Sequence, residues 1–260
     1  MLSIIIPTLN EENYLPLLLE SIKKHPEAEQ SSLRGSPVQS SAFVSGQNFS
    51  EEYEIIVADA GSEDKTVEIA KNYGCKMVPG GVPPKGKNEG ARAAKGGLFL
   101  FVDADVVLPQ NFLAGVLNEF NERNLDIASF YLKSENKFHN FLFGLLYNFP
   151  AKATQKLFPQ AMNIILAKKE VHRKIGGFDE KIKLGEELDY IRKVARIGKF
   201  GILKSAKILA SARRYQQDGW LKTWFKYFLC QLYMIFLGPV KSDIFKYRFN
   251  HYLKEPKKKL

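Results

Sequence analysis

One short stretch, residues 98–105, constrains the fold of this 260-residue chain more than any other. Five apolar residues, Leu98-Phe99-Leu100-Phe101-Val102, run directly into Asp103-Ala104-Asp105. An uninterrupted apolar run of this length that ends in charge is typical of a strand buried on both faces of a sheet. Because alternate residues of a strand point the same way, we expect Asp103 and Asp105 to lie at the strand end and to face one point.

Paired carboxylates at a strand end suit a hydrated divalent cation. Mg²⁺ in proteins is usually held by one or two carboxylates together with the phosphate oxygens of a substrate. In the alternative interpretation, Asp105 only ends the strand and helps to start the helix predicted after Pro109. The motif by itself leaves both interpretations open, since short motifs often occur by chance.

Strand and helix patterns alternate in the first part of the chain. A strand is predicted over 2–6, broken by Pro7, and apolar residues at helical spacing follow over 15–22. A second buried strand, 53–59, ends in an acid and precedes a short helix that stops at Gly74. This alternation predicts an α/β fold with a mainly parallel central sheet flanked by helices. Such sheets place their ligands at the carboxyl ends of the strands.

Two segments have the composition of loops. Residues 26–50 are polar and lack periodicity, which predicts a flexible insertion. Residues 79–88 combine Pro and Gly with Lys85 and Lys87. Glycines permit close backbone approach and the lysines would neutralise phosphate, but any exposed loop shares this composition.

The second half of the chain contains an aromatic segment and an acidic pair. Residues 138–149 are richer in aromatic side chains than a half-buried helix requires, and 161–167 have the pattern of a strand. Glu186 and Glu187 begin a predicted helix that ends at Gly198. Acids in a first turn complement the helix dipole, so capping is the simplest structural interpretation of this pair.

The net charge of +10 resides in the last quarter of the chain. Residues 204–260 contain 13 Lys and Arg but 3 Asp and Glu. The same region includes an aromatic, apolar run over 219–239, which favours an anionic membrane surface over nucleic acid as the partner. Only 11 residues separate Lys226 from Gly238, fewer than the roughly 20 needed to span a bilayer. We expect an amphipathic helix in the membrane interface, although a homodimer contact would use the same apolar surface.

Neither the cysteines nor the first residues indicate an extracellular protein. Cys75 and Cys230 have the spacing of neither a metal site nor a disulfide framework. The apolar run at 2–6 is too short for a signal peptide. We therefore expect a cytoplasmic protein that is peripheral at the inner face of the cell membrane.

Motifs spread over residues 1–237 are similar, in the same order, to those of the inverting family 2 glycosyltransferases of the GT-A fold. The matching residues are Ile5-Ile6-Pro7-Thr8-Leu9-Asn10-Glu11-Glu12, Val57-Ala58-Asp59-Ala60-Gly61-Ser62 with Asp64 and Thr66, Lys87-Asn88-Glu89-Gly90, Asp103-Ala104-Asp105, Gly176-Gly177-Phe178-Asp179-Glu180, Gly185-Glu186-Glu187-Leu188-Asp189 and Ser211-Ala212-Arg213-Arg214-Tyr215. We expect a GT-A transferase domain over 1–215, with the insertion at 26–50, and a basic amphipathic extension over 216–260.

The resemblance implies a donor site at the strand ends. Pro7, Thr8 and Glu11 would line the nucleotide, and Asp59 would accept a hydrogen bond from its base, which suits a pyrimidine N–H. Lys87 stands where the family often has Arg and would contact the diphosphate or the base. A lysine offers one point charge in place of a planar fork.

Metal and diphosphate contacts are implied further along the chain. Asp105 would bind Mg²⁺ or Mn²⁺ directly, and Asp103 would hold the ribose or a metal-bound water. The metal would offset the charge that builds on the departing diphosphate. Arg213 and Arg214 would reach the diphosphate, since Arg makes bidentate contacts with phosphate. A charge facing solvent or the membrane is the alternative for both.

The acceptor hydroxyl needs a base, and the resemblance places it in the acidic pair. The family usually has Glu-Asp here, and Glu187 occupies the Asp position. Its extra methylene moves the carboxylate on the order of an ångström, which matters for hydrogen-bond reach. We expect Glu187 to be the base, with Glu186 second, and the deprotonated acceptor oxygen would displace the diphosphate with inversion.

Together, these features predict an inverting, metal-dependent glycosyltransferase that uses a nucleotide-diphospho-sugar donor at the membrane surface. The sugar, the nucleotide and the acceptor are left open, and proximity to a membrane favours a lipid-linked acceptor. Two other classes remain as alternatives. One is a metal-dependent nucleotidyltransferase, and the other is a catalytically silent protein that binds nucleotide sugars or associates with membranes.

Overall fold

The computed structural model describes residues 1–23, 53–134, 136–155, 157–160, 164–209 and 219–242, and in these ranges seven strands form one sheet flanked by helices. The strands are β1 (Leu2–Thr8), β2 (Tyr53–Asp59), β3 (Lys76–Pro79), β4 (Leu98–Val102), β5 (Ile127–Lys133), β6 (Ile164–Lys168) and β7 (Phe200–Leu209). The helices are α1 (Leu15–Lys23), α2 (Thr66–Asn72), α3 (Pro83–Ala93), α4 (Phe112–Glu122), α5 (Lys137–Phe143), a π-helical turn (Gly144–Asn148), α6 (Phe149–Thr154), α7 (Lys169–Lys174), α8 (Glu186–Ala195) and α9 (Trp220–Phe236).

The sheet is mainly parallel, as the sequence predicts. Its strand order is β3-β2-β1-β4-β6-β5-β7, and β6 alone of these seven runs antiparallel to its neighbours. From β1 the chain adds strands first on one side, through β2 and β3, and then on the other side at β4. A crevice forms where the winding direction reverses, at the carboxyl ends of the strands. Here that point lies between Thr8 of β1 and Asp103, which directly follows β4.

Each face of the sheet carries its own hydrophobic cluster. On one face, Ile4 and Ile6 pack with apolar residues of α1 and α4. On the other face, Ile5 packs with α3 and with Tyr190 of α8. Because successive side chains of a strand point to opposite faces, the uninterrupted apolar run of β1 supplies both clusters.

Pro7 lies inside β1 and does not break it. Its register partner is Ala58 of β2, whereas the pairing of β1 with β4 ends at Ile5 and Phe101. A proline cannot donate a backbone hydrogen bond, so it is tolerated where one neighbouring strand has already ended. The predicted strand 2–6 is therefore two residues too short.

The segment 79–88, predicted as a loop, is helical from Pro83 onwards. Pro83 is the first residue of α3. A backbone N–H at this position has no partner within the helix, so a proline, which lacks that N–H, is tolerated there. Because glycine lowers helix propensity, the composition of this segment did not indicate a helix. The glycines serve packing, since a Cβ at Gly90 would lie 2.3 Å from Ile5 Cγ2 and one at Gly86 would lie 3.1 Å from Pro7 Cβ. The lysine at 87 consequently sits on a helix pressed against the sheet.

The remaining expectations are met in part. The predicted strand at 161–167 corresponds to β6, whereas β5 and β7 were not predicted. The aromatic run at 219–239 forms α9, and no helix in the described ranges is both long enough and apolar enough to cross a membrane. The predicted insertion, 26–50, and the basic residues after 242 lie outside the described residues.

We predict that Gly90→Ala destabilises the protein by about 1–3 kcal/mol, because the added methyl group collides with the fully buried Ile5. Urea unfolding monitored by circular dichroism measures this loss. Gly144→Ala is the matched control, since a Cβ there meets nothing within 4 Å. Equal stability of the two variants would show that α3 does not press against β1.

We also predict an acid-sensitive contribution from His172, which is 8% exposed and packs among Phe99, Phe101, Phe178 and Tyr190. Burial, assisted by the charge of Arg173, lowers its pKa from 6.5 to about 4. The unfolded chain therefore binds a proton at a higher pH than the folded chain does. The stabilisation is complete above pH 6.5 and is lost as the pH falls towards 4. At about 1.4 kcal/mol per pKa unit, the loss is on the order of 3 kcal/mol.

Unfolding free energies of wild type and His172→Gln, measured from neutral pH down to the onset of acid unfolding, test this assignment. The stability advantage of wild type should shrink as the pH falls. Parallel pH profiles for the two proteins would contradict it.

Candidate active site

Asp59 organises the turn at the carboxyl end of β2. The Thr8 hydroxyl donates to one Asp59 oxygen over 3.1 Å, and the backbone N–H groups of Gly61 and Ser62 donate to the other over 3.0 and 2.9 Å. The Ser62 hydroxyl also donates to Asp59, over 2.5 Å. The ends of β1 and β2 are thereby joined, which places Thr8 and Asp59 side by side at the edge where the sequence predicts the donor.

The loop after β1 is fastened to the start of α2. The Glu11 N–H donates to Thr66 Oγ1 over 2.8 Å, and the Glu12 N–H donates to Asp64 Oδ2 over 3.1 Å. Asn10 adopts a left-handed backbone conformation, with φ of 55°, and its side chain accepts a hydrogen bond from the facing loop. These bonds hold Glu11 beside the carboxyl edge of the sheet.

The ammonium group of Lys87 is buried among three acidic side chains. The side chain is 2% exposed, and its Nζ contacts Glu187, lies 3.4 Å from Glu186 Oε1 and lies 3.8 Å from Asp103 Oδ1. It also lies 5.5 Å from the centre of the Phe178 ring, within the range of a cation–π contact. Helix α3, the end of β4 and the start of α8 therefore meet at a single positive charge.

This cluster gives the two adjacent acids different protonation states. Burial, together with the neighbouring Glu187, raises the pKa of Glu186 to about 8. Burial would raise the pKa of Glu187 as well, but contact with Lys87 lowers it overall. Burial likewise opposes the charge on Lys87, yet the surrounding carboxylates raise its pKa above the ordinary value. At neutral pH Glu187 is accordingly a carboxylate, while Glu186 retains its proton.

Asn88 connects α3 to the loop that precedes α8. Its Nδ2 donates to the Phe178 carbonyl and to Glu180 Oε1, both over 2.9 Å, and its Oδ1 accepts from the Phe178 N–H over 2.9 Å. The Phe178 ring stacks on Tyr190 of α8 with centroids 4.0 Å apart. At Gly177 a Cβ would lie 2.6 Å from Asn88 Oδ1, so this close approach requires glycine. Asn88 thus ties α3 to the loop that leads towards the acidic pair.

Helix α9 packs against the residues that directly precede the acidic pair, Glu186 and Glu187. Its buried residues Cys230 and Met234 pack with Leu184 and Val240 in a third hydrophobic cluster. Gly185, immediately before Glu186, is so close that a Cβ there would lie 2.7 Å from Met234 Sδ. The C-terminal helix is therefore packed against the backbone turn that presents the acids.

Asp103 and Asp105 follow β4 on the predicted turn, and both are half-buried. Their donor set consists of hard carboxylate oxygens at the crevice of the sheet, and it leaves coordination positions for the oxygens of a substrate. This chemistry fits a hydrated Mg²⁺ or Mn²⁺. Among the described residues no group of three or more His, Cys, Asp or Glu forms a metal cage, so an ion here would depend on substrate and water for its remaining ligands.

The structure brings the predicted residues into two groups. Thr8, Asp59 and Glu11 gather around the turns after β1 and β2, while a second group consists of Lys87, Asp103, Glu186 and Glu187. Arg213 and Arg214 lie outside the described residues.

Two structural contributions to this site had no assigned role in the sequence prediction. The first is the Asn88 clamp, by which we mean the hydrogen bonds of the Asn88 side chain to the loop before α8. In the sequence Asn88 appeared only as a member of a motif, because its partners lie about ninety positions away and a local pattern does not reveal contacts at that distance. The second is the packing of α9 against Gly185.

A family model described as "Glycosyl transferase family 2" matches residues 3–177, more than half of the chain. This range includes Thr8, Asp59, Lys87 and both aspartates after β4. It stops before Glu186.

The curated proteins that are similar in sequence include TarS and GgaA. Poly(ribitol-phosphate) beta-N-acetylglucosaminyltransferase TarS of Staphylococcus aureus (strain Mu50 / ATCC 700699) is 27% identical over 143 residues, which cover 52% of this chain and 21% of TarS. Minor teichoic acid biosynthesis protein GgaA of Bacillus subtilis (strain 168) is 27% identical over 270 residues, which cover 91% of this chain and 54% of GgaA. This chain therefore spans much less than the full length of either relative.

Solved structures share the fold. TarS 1–349 in complex with UDP-GlcNAc has a TM-score of 0.59 at 20% identity, over 80% of this chain and 58% of that chain. The mannosyltransferase PcManGT from Pyrobaculum calidifontis, in complex with GDP-Man and Mn²⁺, has a TM-score of 0.64 at 16% identity, over 90% of this chain and 63% of that chain. The GT-A fold predicted from the sequence is thereby confirmed.

We predict that Lys87→Met destabilises the protein by about 3–5 kcal/mol, because it leaves buried acids without their counter-charge. The double variant Lys87→Met/Glu187→Gln should be more stable than Lys87→Met alone, since the second change removes one unpaired charge. Urea unfolding of wild type, both single variants and the double variant yields the coupling free energy. A coupling near zero would contradict the ion pair.

Proposed function

The chain belongs to glycosyl transferase family 2, and from this premise we propose that it transfers a sugar from a nucleotide-diphospho-sugar to an acceptor hydroxyl with inversion of the anomeric carbon. One observation carries the proposal. The buried Lys87 joins Asp103, at the predicted donor side, to the acidic pair that begins α8. Groups suited to holding a diphosphate and a group suited to removing a proton are thus held a few ångströms apart.

The donor nucleotide binds at the carboxyl ends of β1 and β2. Pro7, Thr8 and Glu11 line it, and the carboxylate of Asp59 accepts a hydrogen bond from the base. The hydrogen bonds around Asp59 support this role because they fix the orientation of its carboxylate. Structural neighbours solved with UDP-GlcNAc and with GDP-Man support a nucleotide-sugar donor.

The diphosphate is held near Asp103 and Asp105. Asp105 would hold Mg²⁺ or Mn²⁺ directly, and Asp103 would hold the ribose or a water on that ion. When bound, the divalent ion supplies positive charge that stabilises the departing diphosphate. Lys87, which lies beside Asp103, contributes its charge on the donor side at the diphosphate, while Arg213 and Arg214 remain proposed contacts of the diphosphate.

Glu187 is the general base. A base must be unprotonated and reachable, and Glu187 is a carboxylate whose side chain is 21% exposed, whereas Glu186 is 8% exposed and retains its proton. Glu187 takes the proton of the acceptor hydroxyl as the acceptor oxygen bonds to the anomeric carbon. The bond from that carbon to the diphosphate oxygen breaks on the opposite face, so no covalent enzyme intermediate forms.

The C-terminal extension, 216–260, associates with the membrane. Helix α9 exposes Phe225, Phe228 and Phe236 while its other face packs on the transferase domain, 1–215. Apolar side chains together with the basic tail suit an anionic lipid interface. We place the protein in the cytoplasm at the inner face of the cell membrane, with a lipid-linked acceptor, and a homodimer contact through α9 is the alternative.

We predict that one donor of a panel of UDP-, GDP-, dTDP- and CDP-sugars binds only with Mg²⁺ or Mn²⁺. Asp105→Ala should abolish this binding, because it removes a ligand of the metal. Glu187→Gln should retain donor binding but lower the rate of sugar transfer or slow donor hydrolysis by about 10²–10⁴-fold, the usual contribution of a general base. Calorimetry and assay of released nucleoside diphosphate measure the two effects separately.

Glu122→Gln serves as the control, since Glu122 lies at the end of α4 away from the predicted site residues. It should match wild type in both assays. Failure of every nucleotide sugar to bind with either metal would overturn the donor assignment. Full activity of Glu187→Gln would remove this residue from the mechanism.

A further inference from the structure

The segment that follows β5 exposes a continuous stripe of large apolar side chains, which we call the aromatic stripe. It consists of Phe138, Phe141, Leu145 and Phe149, whose side chains are 64%, 63%, 53% and 67% exposed. Their spacing of three, four and four residues puts them on one side of the run formed by α5, the π-helical turn and α6. Large apolar residues aligned in this way on a protein surface mark a binding face.

The opposite side of the same run is anchored to the domain. Phe143 is fully buried and Ala151 is 2% exposed. The Asn148 side chain accepts from the Leu132 N–H over 2.9 Å and donates to the Leu132 carbonyl over 2.8 Å, so it bonds to β5 as a neighbouring strand would. The orientation of the run is thereby fixed, and the stripe points away from the sheet.

The stripe starts at the edge of the sheet that holds the active site. Strand β5 runs parallel to β1, β2 and β4, so its last residue, Lys133, lies at the same edge as Thr8, Asp59 and Asp103. Helix α5 begins four residues later, at Lys137. A surface that binds the stripe is therefore brought to the edge at which the donor is proposed to bind.

The charged residues within 136–160 are all lysines, and Glu135 directly precedes this segment. Residues 136–160 contain Lys137, Lys152 and Lys156 and neither Asp nor Glu. In the described structure, Lys137 and Lys152 are exposed. Aromatic side chains flanked by lysines, with acids missing from the whole segment, complement an anionic lipid surface, where the rings enter the interface and the ammonium groups meet the headgroups.

We propose that the aromatic stripe is a membrane-docking surface for anionic lipid, separate from α9. The inference rests on the proposed function in one respect, namely that docking at this edge presents the active site to an acceptor held in the membrane. Docking through two surfaces also restricts the orientation of the domain, which one helix lying in the interface leaves free to tilt.

The test compares binding of the full chain to vesicles of phosphatidylcholine with and without phosphatidylglycerol, by flotation. The stripe variant carries Phe138→Ser, Phe141→Ser, Leu145→Ser and Phe149→Ser, and the control carries Leu17→Ser and Ile197→Ser, both 52% exposed at other places. Wild type and control should bind the anionic vesicles. The affinity of the stripe variant for these vesicles should be lower by a factor of about ten or more, because four apolar side chains are lost from the interface.

Thermal unfolding and nucleotide-sugar binding of the stripe variant should equal those of wild type, since the substituted side chains are exposed and lie outside the donor site. Equal vesicle binding by wild type and the stripe variant would overturn the inference and leave α9 as the sole membrane contact. Unchanged vesicle binding together with loss of a dimer in sedimentation velocity would assign the stripe to a second copy of the chain. If the protein binds vesicles through the stripe but binds no nucleotide sugar, the result would contradict the proposed transferase function and would still support the docking surface.

Discussion

The structure depends on one buried ammonium group. Lys87 would be costly to bury alone, and so would the acids around it, but together they bring α3, the end of β4 and the start of α8 to one point. The arrangement sets the protonation of the acidic pair as well as its position. Because the positive charge favours one carboxylate over its neighbour, two adjacent glutamates of identical chemistry become distinct groups. The same side chain, Lys87, therefore determines both the position of the acidic pair and the difference between its two pKa values.

Much of the fold could be predicted from local pattern, because buried strands have an unambiguous appearance in sequence. The run that ends at Asp103 and the strand that ends at Asp59 needed only apolar continuity and a charged end to be located. Helix α3 escaped prediction because glycine and proline disfavour helices in isolation, and here tertiary packing against Ile5 outweighs that preference. The end of β1 was placed wrongly for a related reason. Pro7 lacks a backbone N–H, but the pairing of β1 with β4, which would have needed that donor, has already ended at Ile5.

The members of the candidate site were predictable, but their connections were not. Resemblance to a family selected Lys87, Asp103, Glu186 and Glu187 from the sequence. It assigned Lys87 and Asp103 to the donor and metal side and the two glutamates to the acceptor side, and it did not indicate that Lys87 lies among the three acids. Contacts between residues about a hundred positions apart leave no periodic trace, so the ion-pair cluster and the Asn88 clamp emerged only from the structure. The roles of these residues in the reaction remain predictions that the proposed experiments address.

The packing of Met234 against Gly185 bears on how the chain can be divided. The boundary at residue 215 that composition predicts would separate the acidic pair from Met234 and Val240, which pack against the turn before it. Val240 pairs with Leu184 in that same turn, and its carbonyl accepts from the Lys183 N–H. The smallest portion of this chain that retains these contacts therefore extends at least to Val240. Helix α9 is thus part of the same packed unit as the acidic pair, although its composition differs from that of the preceding residues.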